Sequence, residues 1–115
     1  MTIKRYAPSA RGSGCVVHGN TVYLSGQVNG DRSLGVGGQT SALLKQIEER
    51  LAEVGSNKSR ILSLHIWLAD ISTFGEMNKV YDAWLDRNNM PARATVEAKL
   101  ASPDYLVEIW AIAAL

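Results

Sequence analysis

The amino-acid sequence predicts an α+β fold with element order ββαβαββ, a mixed sheet with two helices on one face. Three observations carry this. Two stretches place apolar residues at three- and four-residue steps, the remaining apolar stretches have strand length, and turn formers separate them. At 115 residues the chain is expected to form a single domain spanning residues 1–115, because domains commonly run to about 100–150 residues.

The first two strands form a hairpin. In "GCVVHGNTVYLSGQV" two β-rich runs flank His18-Gly19-Asn20, and Gly19 and Asn20 tolerate the positive φ such turns use. "NGDRSLGVGGQ" (residues 29–39) is rich in turn formers and is expected as a surface loop. Its glycines neither follow a strand nor match a phosphate-binding fingerprint. A helix is expected over about residues 40–54, with Leu44, Ile47, Leu51 and Val54 as its apolar stripe. Thr40 or Ser41 can cap its start, and Gly55 stands where a left-handed C-terminal residue belongs.

"RILSLHIWLAD" (60–70) is expected as a strand with Leu62, Leu64, Ile66 and Leu68 on one face and Ile61 and Trp67 on the other. The second helix, about residues 73–87, opens with Thr73 and Glu76 at capping-box spacing and buries Met77, Tyr81 and Trp84. Two more strands, 93–100 and 106–114, are joined by the turn "ASPDY". In the first, Ala94, Val96, Ala98 and Leu100 are expected on the core side, and Arg93, Thr95, Glu97 and Lys99 on the other. The last, "LVEIWAIAAL", is apolar on both parities, as in a strand covered on both faces. Two helices cover only one face, so a second copy of the chain is expected on the other, making an obligate oligomer.

Composition narrows the function. Hydrophobic residues make up 46% of the chain and charged residues 20%, and twelve basic against eleven acidic residues leave a net charge of +1. That balance carries no electrostatic footprint for nucleic acid or an anionic membrane, so the expected partners are small molecules and copies of the chain itself. A lone cysteine, Cys15, forms no intrachain disulfide, and His18 and His65 lie far apart, so no metal site is expected. "MTIKRYAPSARG" lacks the apolar core of a signal peptide and no apolar run reaches membrane-spanning length, so a cytoplasmic location is expected.

Two charges stand out against their apolar surroundings. Glu108 interrupts the doubly apolar last strand, where an unpaired carboxylate is costly and must be protonated or matched to a donor. Burial raises a carboxylate pKa, which also keeps a general acid available near neutrality. Arg93 begins the preceding strand, and its planar fork suits bidentate capture of a carboxylate. Pattern alone leaves three readings: an Arg93–Glu108 salt bridge across adjacent strands, Glu108 paired with a partner subunit, or a site that binds a carboxylate.

Pro91-Ala92-Arg93-Ala94-Thr95-Val96-Glu97, followed after the turn by Leu106-Val107-Glu108-Ile109, closely resembles the signature of the RidA/YjgF/UK (Rid) family. "LSGQV" (24–28) resembles that family's Ser-Gly-Gln strand end, and "FGEMNKVYDAWL" (74–85) its second helix. The resemblance covers nearly the whole chain and is nearest to the short YoaB-like branch. It implies a chorismate-mutase-like (RidA-like) sandwich assembled as a homotrimer, with pockets between subunits. It also implies hydrolysis of 2-enamine and 2-imine acids to 2-keto acids and ammonia, without cofactor or metal. Carried over by residue, Arg93 holds the substrate carboxylate, and Glu108 positions water and shuttles a proton to the leaving ammonia. The Gly26 N–H orients the substrate, and Thr95 lines the pocket largely through its backbone.

The chain departs from RidA-type deaminases at three places. An aromatic usual before the first hairpin is replaced by Gly12 or Ser13, the "DRNNM" loop before Arg93 is shorter, and Trp110 replaces a second carboxylate. A non-catalytic carboxylate-binding or regulatory module is therefore the alternative to a deaminase. An endoribonuclease or translation inhibitor is the third reading, against which the charge balance argues. Cys15 is expected as a small buried apolar residue, His65 as a sheet or interface histidine, and Trp67, Trp84 and Trp110 as core or subunit-contact residues, with Trp84 also a candidate pocket wall. Asn78 is expected on a solvated helix face, with the pocket rim as the alternative.

Overall fold

The computed structural model describes residues 1–115. Strands β1 (Ile3–Pro8), β2 (Ser13–His18) and β3 (Thr21–Leu24) are followed by α1 (Gly35–Glu53), β4 (Ile61–Leu68), α2 (Phe74–Trp84), β5 (Ala92–Glu97) and β6 (Val107–Ala114). The six strands form one sheet in the order β1-β2-β3-β6-β4-β5. β4 and β5 are parallel across α2, and the other pairs are antiparallel. The fold is the expected α+β arrangement with one addition, the edge strand β1. It runs antiparallel to β2 from Ile3↔His18 to Pro8↔Ser13 while all six of its residues stay exposed. Backbone pairing rather than burial holds it, so it leaves no hydrophobic period in the sequence.

α1 starts at Gly35, inside the segment expected as a loop. Asp31 caps a 3₁₀ turn over Arg32–Leu34 through its carboxylate and the Ser33 N–H, and that turn feeds the helix. Gln39 then ties the new first turns down. Its amide nitrogen donates to Asp31 O and Asp104 O, and its amide oxygen accepts from the Leu106 N–H at 2.9 Å, all with no exposed surface. Tertiary contacts thus override the low helix propensity of a glycine-rich segment. At its far end Gly55 takes the left-handed φ of 85° expected of it.

β4 carries a register shift between Ile61 and Ser63. This bulge turns Ile61 into the core and leaves Leu62 52% exposed, reversing their expected faces, while Leu64, Ile66 and Leu68 are buried as expected. α2 has no capping box. Thr73 instead donates its hydroxyl to Asp70 O, and Asp70 caps a 3₁₀ turn that leads into the helix.

Nineteen buried residues, including Leu43, Leu44, Ile47 and Leu51 of α1 and Val107, Ile109, Ala111 and Ala113 of β6, fill the space between helices and sheet. The opposite sheet face is bare. Tyr23, Leu62 and Val96 are 44%, 52% and 50% exposed there or at its margin, and His65, Trp67, Trp110 and Ile112 are half-buried. Ala94 and Val96 were expected on the core side, but they line a shallow hollow on this open face with His65, Trp67 and Trp110. The apolar parity of β5 is thus the open one, because α2 leaves this edge strand partly uncovered on the helix side.

Candidate functional site

Glu108 lies on the open face of β6, opposite Trp67 of β4. On its other side, mutual backbone hydrogen bonds between Gln27 and Ile109 hold the end of the "LSGQV" run against the strand. This brings Gly26 against the carboxyl group: a Cβ at Gly26 would overlap Glu108 Oε2 and lie 3.1 Å from its carboxyl carbon. Only glycine fits there without moving the acid. Glu108 makes no hydrogen bond or ion pair within the chain, and burial pushes its pKa up. The Gly26 N–H is also free, whereas those of Ser25 and Gln27 donate to Gly14 O and Ile109 O.

Arg93 lies on β5, paired with Leu64 of β4 on the helix side of the sheet. Its Nη1 donates to Asn78 Oδ1 at 2.6 Å, and its guanidinium carbon sits 4.6 Å from the Tyr81 ring centroid and 5.8 Å from that of Phe74. No acid pairs with it; the one ion pair between side chains is Arg50–Glu53. Glu97, on the same side of β5, is engaged by the Ile71 N–H. Burial raises the Tyr81 phenol pKa, which the Arg93 charge partly offsets.

Thr95 follows on the same side of β5, half-buried, with its hydroxyl oxygen buried and unpartnered. Because the Ala98 N–H donates inward to Leu68 O, strand alternation turns the backbone N–H and C=O of Thr95 and Arg93 outward, to the free sheet edge.

The structure therefore brings Gly26 to Glu108 and Thr95 to Arg93, but keeps the two pairs apart. β4 lies between β5 and β6, and Arg93 and Glu108 project from opposite faces. The adjacent-strand salt bridge is overturned: the parallel β4–β5 pairing inserts a strand that sequence order does not reveal. Asn78 is likewise not a solvated face residue but the half-buried partner of Arg93. An asparagine on a helix face carries no sequence signal of this, since its partner lies beyond a loop of unknown course.

The other singled-out residues fall elsewhere. Cys15 is buried in the core with its thiol pKa pushed up by burial. His65 stacks on Trp110 at 3.9 Å on the open face, with Ser63 Oγ 3.1 Å from its Nε2. Trp84 belongs to the helix layer, donating to Glu48 Oε2 at 2.8 Å. A hollow of about 680 Å³ lies under the 98–105 loop and touches neither Arg93 nor Glu108. No cluster of His, Cys, Asp and Glu has metal-binding geometry, and no helix is long and apolar enough to cross a membrane.

Residues 2–115 match the family described as Endoribonuclease L-PSP. The chain is 44% identical to the RutC family protein YoaB of Escherichia coli K12 over the full length of both. It is 33% identical to a 2-iminobutanoate/2-iminopropanoate deaminase of Rattus norvegicus, over 93% of this chain and 83% of that one. Among solved structures, a member of the YjgF protein family from Neisseria meningitidis superposes with a TM-score of 0.95 at 39% identity, over 99% of this chain and 95% of that one.

Proposed function

The chain belongs to the RidA/YjgF (endoribonuclease L-PSP) family, and from that membership we propose that it hydrolyses small 2-imino acids to 2-keto acids and ammonia. The observation that carries this reading is a pair of uncompensated groups: Arg93 has no anion and Glu108 no donor. A carboxylate beside a C=N group supplies both. The rat relative's deaminase name supports the same substrate class.

A small imino acid cannot reach both sides of one sheet, so the pocket forms between copies, with Arg93 and Thr95 from one and Glu108 and Gly26 from another. The bare open face of the sheet supports such packing, and a homotrimer is the assembly proposed. Arg93 holds the carboxylate through charge-assisted hydrogen bonds. Glu108 takes a proton from water as the water oxygen bonds to the iminium carbon and passes it to nitrogen. As the C–N bond breaks, Glu108 takes the remaining hydroxyl proton and hands it to the departing ammonia. Overall C=NH₂⁺ and water give C=O and NH₄⁺, so the chemistry needs one positioned water and one carboxyl group.

One observation favours a second reading, a non-catalytic module that binds small carboxylates. Gly12 or Ser13 stands where RidA-type deaminases carry an aromatic, and neither has a ring to form a substrate wall. Imines generated in situ from amino acids, with 2-keto acid release followed over time, separate the two. Wild type is expected to outpace buffer clearly. Glu108→Ala should lose about 10²–10⁴-fold in kcat, and Arg93→Ala should raise KM at least about tenfold. A wild type no faster than buffer on several imino acids would exclude the deaminase.

A further inference from the structure

Phe74, Asn78 and Tyr81 stand four and three residues apart on α2, so one helix face presents two rings with an amide between them. All three meet the Arg93 guanidinium: the amide oxygen accepts from Nη1 at 2.6 Å, and the rings lie at 4.6 and 5.8 Å, within cation–π range. The nearer ring is itself fixed. Tyr81 is 4% exposed and packs against Trp84 at 6.0 Å, and Trp84 is held by Glu48.

Each of these contacts is neutral. A carboxylate at position 78 would orient the guanidinium as well, but it would also cancel its charge and compete for its N–H groups. We propose that Phe74, Asn78 and Tyr81 are positioning residues forming a charge-neutral cradle for Arg93. The cradle occupies one N–H of an exposed side chain and sets two rings against its guanidinium. It leaves the remaining N–H donors and the full positive charge facing the carboxylate of an incoming 2-imino or 2-keto acid. An arginine loses rotamer entropy on being held, and the cradle removes much of that loss from the binding step. The inference rests on Arg93 being the carboxylate anchor of the proposed site.

The test uses 2-oxobutanoate as a binding probe by calorimetry, and in-situ imines for KM and kcat, on the full chain. Asn78→Asp is nearly isosteric, so a merely structural Asn78 predicts no change, or less than Asn78→Ala causes. The cradle predicts the reverse: Asn78→Asp weakens 2-oxobutanoate binding and raises KM about tenfold or more, exceeding the effect of Asn78→Ala, while kcat falls less than KM rises. Tyr81→Leu should weaken binding about fivefold, and Tyr81→Phe, which keeps the π-face, should restore most of that loss. Should Tyr81→Leu not fold, the two Asn78 variants decide alone. Asn78→Asp binding as tightly as wild type, or Tyr81→Phe as weak as a folded Tyr81→Leu, would overturn the cradle even with deamination intact. Arg93-dependent 2-oxobutanoate binding with no imine hydrolysis, and the same ranking of variants, would remove the deaminase and leave the cradle standing. A wild type that neither binds 2-oxobutanoate nor hydrolyses imines would overturn both.

Discussion

Gly26 and Glu108 act as one steric unit, since the only space for a Cβ at position 26 is already filled by the Glu108 carboxyl group. Gly26→Ala therefore has to push the acid out of place. Gly26 is exposed and does not take a left-handed φ, so the fold should tolerate the change. A displacement near 1 Å at the reacting group costs about 10²-fold in rate. Gly26→Ala is accordingly expected to lower kcat by about that factor with Tm nearly unchanged, read by steady-state kinetics beside a thermal melt. Unchanged kcat would remove Glu108 from the chemistry or Gly26 from its placement. Sequence reasoning picked out both residues but assigned the glycine only to substrate approach, because a through-space overlap between positions 26 and 108 has no sequence signature. The same holds for Asn78 and Arg93, whose contact depends on how α2 lies over the edge of the sheet.

At the scale of elements, the start of α1 depends on Gln39 more than on helix propensity. Its side chain serves two carbonyls and one N–H from segments that meet only in the folded chain. Gln39→Leu keeps the volume and removes all three bonds, and is expected to destabilise the protein by about 1–3 kcal/mol, read from the midpoint shift in urea unfolding at unchanged slope. No shift would mean that water replaces those bonds at no cost. Helix cores were legible from periodicity: Leu44, Ile47 and Leu51 are buried as expected. The first turns of α1 were not, because glycines and turn formers conceal a helix that tertiary hydrogen bonds enforce. The β4 bulge escaped for a related reason, since a strict two-residue period has no place for an extra residue.

Over the whole molecule, only 23 of 115 residues are buried, and the slab measures 42 × 38 × 20 Å. Helices and sheet make two layers, and the outer face of the sheet lacks a third. That bare face supports an assembly in which other copies cover it, and light scattering should find three times the mass of one chain. Val96→Glu, at the centre of the exposed apolar parity of β5, should shift the protein toward monomer and abolish deamination together. A monodisperse, active wild-type monomer would contradict both the trimer and the shared pocket. What the sequence by itself determined is the fold class, the family signature around Arg93 and Glu108, and the presence of an uncovered apolar face. Local periodicity suffices for the fold class and the uncovered face, and the resemblance of the quoted runs to a known family for the signature. Only the tertiary structure decided that β4 separates β5 from β6, that Arg93 and Glu108 leave opposite faces, and that Asn78 and Tyr81 hold the arginine. Strand order and facing depend on which segments pair across the sheet, and pairing is a long-range choice that a linear pattern of apolar residues does not record.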